Sequence, residues 1–68
     1  MDEIREIAMR IKELREICDY SQEEIASKLG ISVSLYESYE KSGEDIPINV
    51  IYQLSKIYKV DFSEILTG

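Results

Sequence analysis

Few side chains in this sequence have the types and spacing that reaction chemistry demands. It contains no histidine to act as a base near neutral pH, and its one thiol, Cys18, lies in a helical pattern without a base beside it. The glycines Gly30, Gly43 and Gly68 are scattered, so no glycine-rich loop can cradle phosphate. Fourteen Asp and Glu residues supply many carboxylates. Carboxylates this frequent on helical surfaces are ordinarily solvated, not poised as acid and base pairs. A single cysteine also excludes an internal disulfide, and without histidine it cannot complete a four-ligand zinc site. The residues therefore point away from an enzyme and imply no cofactor and no metal, with a reducing cytoplasm as the expected setting.

What remains is recognition, which requires elements that hold side chains in place. Ile4, Ile7, Ala8, Ile11, Leu14 and Cys18 recur at intervals of three and four, predicting a first helix that runs to about Asp19. Its outer face places Glu6 with Arg10 and Lys12 with Glu16 at i,i+4, pairs that stabilise a helix by a few tenths of a kcal/mol. Ser21-Gln22-Glu23-Glu24 has the form of a capping box and opens a second helix through Ile25, Ala26 and Leu29, stopped by Gly30. Ser32 is the expected N-cap of a third helix carrying Tyr36, Tyr39 and Glu40 up to Ser42-Gly43.

After the segment 43–47, Asn49 precedes a fourth amphipathic stretch of Val50, Ile51, Leu54, Ile57 and Tyr58. Asp61-Phe62-Ser63-Glu64 repeats the capping-box pattern ahead of Ile65 and Leu66, a short fifth helix. No segment keeps a period-two alternation. The fold class is thus all-α, a compact five-helix bundle in one domain over 1–68. With 68 residues, 44% of them hydrophobic, the chain is near the lower limit for closing a core without covalent or metal cross-links. Its apolar runs are a few residues long against the roughly 20 that span a bilayer, so no membrane association is expected.

Helices 2 and 3 are joined through Leu29-Gly30-Ile31-Ser32, a tight turn with glycine at its start and an apolar residue inside it. Ala26 and Gly30 allow close helix crossing, and Ile31 can pin the turn to the core. This is the form of a helix-turn-helix over about 22–41, whose second helix can enter a major groove. The order Leu14-Arg15-Glu16, then Ser21 through Ser32, then Tyr39-Glu40, closely resembles the phage-repressor family of Cro and cI, also called XRE. Val60-Asp61-Phe62-Ser63-Glu64-Ile65-Leu66 resembles that family's closing helix, so the similarity covers nearly the whole chain.

The resemblance implies a lambda-repressor-like DNA-binding domain with helix 3 as the recognition helix. It puts base-edge positions at Val33, Ser34, Glu37 and Ser38, with Ser32 and Lys41, at the two ends of that helix, also among the DNA-binding residues. Gln22 matches a position that commonly touches phosphate, and Arg15 with Glu40 matches an ion pair between helix 1 and the end of the recognition helix. The family usually has glycine where this chain has Asp19 and Lys59. Thr67-Gly68 resembles the point where such modules pass into a ligand-sensing domain, sometimes a cupin. A homodimer is implied, with Tyr52, Tyr58, Phe62 and Ile65 as candidates for its surface.

Charge runs against this reading. The chain is at −6, and between Ser21 and Asp45 the acids Glu23, Glu24, Glu37, Glu40, Glu44 and Asp45 face only Lys28 and Lys41. The ion pair Arg15–Glu40 and the i,i+4 pairs Glu24–Lys28 and Glu37–Lys41 would soften the field. Double-stranded DNA is the expected partner, bound weakly by an isolated monomer. The other reading is a protein-interaction or dimerisation module on the same scaffold, with Val33, Leu35 and Ile17 exposed and a basic peptide or protein as partner.

Overall fold

The computed structural model describes residues 3–42 and 46–67, with side chains from Glu6 onward. Within them the chain forms α1 (Glu3–Ile17), α2 (Gln22–Leu29), α3 (Val33–Ser42), α4 (Ile48–Tyr58) and α5 (Phe62–Thr67), and there is no strand among the described residues. The expected place of Ile4 on the apolar stripe and the charges of Glu44 and Asp45 lie outside the described side chains.

α1 packs against α3, α4 and α5, while α2 packs against α3 and α4. Between them lies a core of Ile11, Ile25, Ala26, Tyr36, Tyr39, Val50, Ile51, Leu54, Tyr58 and Ile65. Tyr36 and Tyr39 meet edge to face with ring centroids 6.5 Å apart, a favoured aromatic arrangement.

The helix ends are set locally. At Ser21 both halves of the capping box form: its hydroxyl accepts from the Glu24 amide at 3.0 Å, and the Glu24 carboxylate accepts from the Ser21 amide at 2.8 Å. The Ser32 hydroxyl likewise accepts from the Leu35 amide at 3.1 Å and starts α3. Gly30 is left-handed, at φ 73, and the Ile31 amide closes back on the Ala26 carbonyl. This compresses the α2–α3 connection to Gly30-Ile31-Ser32.

Several local expectations are revised. α1 ends at Ile17, because Asp19 turns left-handed, with φ 62, while the Tyr20 amide reaches back to the Arg15 carbonyl. Pro47 caps α4, so the helix begins at Ile48, ahead of Asn49. No capping box forms at α5: the Glu64 amide bonds to the backbone carbonyl of Asp61. Of the proposed i,i+4 pairs, Glu6–Arg10 forms at 3.1 Å. Lys12–Glu16, Glu24–Lys28 and Glu37–Lys41 are not among the ion pairs of the described residues. Glu24 is spent on its cap, and the Lys28 ammonium lies over the Tyr20 ring, 5.4 Å from its centroid.

Lys59, at φ 58, is the other non-glycine residue held left-handed. Its Cβ crowds the backbone there, a strain of about 1 kcal/mol that glycine does not carry. Lys59 is exposed and forms none of the ion pairs of the described residues. Lys59→Gly is therefore expected to raise the unfolding free energy by up to about 1 kcal/mol, read as a thermal midpoint several degrees higher. A lower midpoint would show that the side chain contributes more than its backbone strain costs.

Candidate nucleic-acid interface

The position of α3 is fixed by a buried carboxylate at its C-terminal end. Glu40 accepts from Arg15 through Nε at 2.7 Å and Nη2 at 3.1 Å, a bidentate pair whose side chains are 4% and 13% exposed respectively. The third guanidinium nitrogen donates to the Tyr20 carbonyl at 2.9 Å. Gln22, at the start of α2, adds a bond from Nε2 to Glu40 Oε1 at 3.0 Å. Burial by itself pushes the Glu40 carboxyl up, but bonds from Arg15, Tyr36 and Gln22 outweigh it and hold the carboxyl below its ordinary value. The bond to Glu40 raises the Arg15 guanidinium further.

Behind this pair the hydroxyls of Tyr36 and Tyr58 are 3.2 Å apart. Either hydroxyl can donate in this bond, and the ionised Glu40 near Tyr36 can only accept. The hydroxyl pair ties α4 to α3, and the ion pair ties α3 to α1. Burial, followed by these bonds, raises the Tyr36 hydroxyl strongly, and burial pushes Tyr58 up to about 12.

The outer face of α3 carries Ser34, Glu37, Ser38 and Lys41 at i, i+3, i+4 and i+7, all exposed. The Ser38 hydroxyl donates to the Leu35 carbonyl at 2.6 Å, so its outward lone pairs can only accept. Ser32 uses its hydroxyl oxygen as the cap, as described above. Val33, expected on the surface, is half-buried and packs against the core. Gln22 does not point freely outward; one amide hydrogen is committed to Glu40, and the second remains available.

One contributor was missed in the sequence. Lys12 lines a recess of about 190 Å³ together with Gln22, Glu37, Glu40 and Lys41, bringing α1 to the ends of the helix-turn-helix. The sequence reading paired Lys12 with Glu16, which hid this placement. Its signal was position: Lys12 is three residues before Arg15, on the same side of α1. With Arg15 offsetting Glu40, two lysines face one glutamate here, a small positive surplus on an acidic chain.

The dimer-surface expectation is corrected in part. Tyr58 and Ile65 are core residues, whereas Tyr52 is exposed and Phe62 half-buried, their rings 6.4 Å apart. Among the described residues no cluster of three or more His, Cys, Asp or Glu side chains is placed to hold a metal ion. No helix there is long and apolar enough to cross a membrane.

A family model described as helix-turn-helix matches residues 11–65, which include every part of this arrangement. The chain belongs to the XRE-type helix-turn-helix family. It is 31% identical over 58 residues to the cryptic phage CTXphi transcriptional repressor RstR of Vibrio cholerae, an alignment that covers 85% of this chain and 52% of that protein. The chain thus spans about half the length of this curated relative. No solved structure matches it.

Two outcomes follow from the clamp. Arg15→Ala leaves a buried carboxylate without its cation and should cost about 3 kcal/mol in urea unfolding, while the Arg15→Ala/Glu40→Ala double variant should lose less than the sum of the singles. Additive losses would show the pair to be uncoupled.

The second concerns pH. The depressed folded value of Glu40 gives stability that is complete above the ordinary carboxyl value of 4.5 and is lost as pH falls through the folded value. Tyr58 acts at the other end: its raised folded value gives stability that is complete below 10 and lost as pH rises from 10 to about 12. Spectrophotometric titration should show Tyr36 and Tyr58 ionising only as the chain unfolds. Ordinary titration of every tyrosine in the folded chain would refute it.

Proposed function

We propose that this chain is a sequence-specific DNA-binding transcriptional regulator of the XRE, Cro and cI type, acting in the cytoplasm as a homodimer. The observation that carries the reading is the α2–α3 unit: a three-residue turn, two completed caps, and a clamp at Glu40, with the outer stripe of α3 in none of the ion pairs of the described residues. The match of residues 11–65 to the helix-turn-helix family supports it, as does similarity to a protein described as a transcriptional repressor.

In this reading α3 lies in the major groove. Ser34, Glu37 and Ser38 face base edges, with the Glu37 carboxylate and the outward Ser38 oxygen both suited to accept from a cytosine amino group. Val33 supplies an apolar edge for a thymine methyl. Lys12, Lys41 and the second amide hydrogen of Gln22 flank the stripe and meet backbone phosphates, while Ser32 fixes the helix start. Attraction is concentrated at the two lysines and repulsion is distributed over the rest of the surface, so nonspecific affinity is low and specificity rests on the reading stripe. A C-terminal sensor domain would supply the effector response.

Selection of duplexes from a random pool, followed by anisotropy titration at several salt concentrations, tests this. Lys12→Ala and Lys41→Ala should each reduce the dependence of log K on log salt by about 1, across all sequences alike. Glu37→Gln should weaken the selected site by about 1–3 kcal/mol while leaving or improving affinity for random duplex. Absence of binding at any salt, with the fold intact, would refute the DNA reading and favour an interaction module.

A further inference from the structure

A second concave surface lies away from the helix-turn-helix, where α1 meets α5. It is a groove of about 380 Å³ lined by Arg10, Glu13, Leu14, Ile17 and Glu64. At 3.6 residues per turn, Arg10, Glu13, Leu14 and Ile17 share one stripe of α1, roughly opposite Lys12 and Arg15. Occupation of this groove therefore does not compete with the α3 face.

The groove is preformed. Arg10 donates from Nη1 to the carbonyls of Ile65 at 3.1 Å and Leu66 at 3.0 Å, which holds α5 on α1, and from Nη2 to Glu6 at 3.1 Å, which offsets its charge. Beside the Glu6-paired Arg10, the groove offers apolar surface and negative charge. Ile17 is 78% exposed, more than any other large hydrophobic residue described, and Met9, two turns earlier beside Glu13, is also exposed. Glu13 and Glu64 are exposed and form none of the ion pairs of the described residues.

We propose that this α1–α5 groove is a docking site for a basic segment of another protein, one that inserts a single large apolar side chain between Lys or Arg residues. The apolar side chain covers Leu14 and Ile17, and the flanking cations pair with Glu13 and Glu64. Charge disfavours a symmetric contact of two copies of this chain through the groove. Each copy would bring its own Glu13 and Glu64 to the contact, on a chain already at −6. The proposal does not rest on the DNA reading, because its site and its test use neither α3 nor nucleic acid.

The test is a backbone-amide NMR titration with an amidated pentapeptide that has a central phenylalanine between pairs of lysines. Shifts should concentrate on Arg10, Glu13, Leu14, Ile17 and Glu64. Replacing the peptide's phenylalanine by glycine, or making Ile17→Ser, should each weaken binding about tenfold through loss of the apolar contact. Glu13→Gln/Glu64→Gln should weaken it several-fold and reduce its salt sensitivity. All three positions are at least partly open to solvent, and circular dichroism verifies that each variant folds. The proposal is overturned by an absence of binding, by shifts spread over the whole acidic surface, or by equal affinity in the variants. It is likewise overturned if Ile17→Ser abolishes self-association of the free chain, which would make a second copy the occupant.

Discussion

A buried carboxylate is tolerated only when its partners replace the water it has lost, and Glu40 meets that requirement with bonds drawn from two other helices. Arg15 brings α1, and Gln22 brings the start of α2. Arg15 in turn holds the Tyr20 carbonyl in the α1–α2 connection, and behind the pair the Tyr36 and Tyr58 hydroxyls join α3 to α4. Among the described residues no buried side-chain polar atom is left without a partner. Because each bond is directional, the network fixes the axial position and rotation of α3 more sharply than apolar packing alone would.

That rigidity matters more here than on a basic domain. A strongly cationic surface gains affinity from phosphate charge in many orientations, whereas this chain has a small positive surplus at Lys12 and Lys41 and net negative charge elsewhere. Its useful contacts are few, and they must be placed together. Lys12 sits on α1, Gln22 on α2 and Lys41 on α3, so their convergence at one recess depends on the same clamp that orients the reading stripe.

The charges also divide the molecule into two sides. Arg10 is paired with Glu6 and the α5 carbonyls, and this leaves the carboxylates of Glu13 and Glu64 beside exposed apolar atoms. On the other side Arg15 is withdrawn to neutralise Glu40, and this leaves the lysines beside Glu37. The two arginines are thus structural, and what each surface offers is set by the charges they leave behind.

The sequence by itself determined the five helices, the three-residue turn and the caps at Ser21 and Ser32, because those depend on apolar periodicity and on hydrogen bonds reaching no more than about four residues. The Arg15–Glu40 pair was legible too, although through family resemblance and not through spacing. Tertiary structure decided the rest. Three of the i,i+4 pairs read from spacing do not form, since such pairs are worth only tenths of a kcal/mol and yield to a cap, a ring face or solvent. Periodicity marked Tyr58, Ile65, Tyr52 and Phe62 as apolar-face residues, but only the packing of α4 and α5 against the rest buried the first two and left Tyr52 open. Gln22 turned inward, and Lys12 joined Lys41, because α1, α2 and α3 meet at Glu40, a convergence of residues 10 to 29 positions apart that no local pattern encodes.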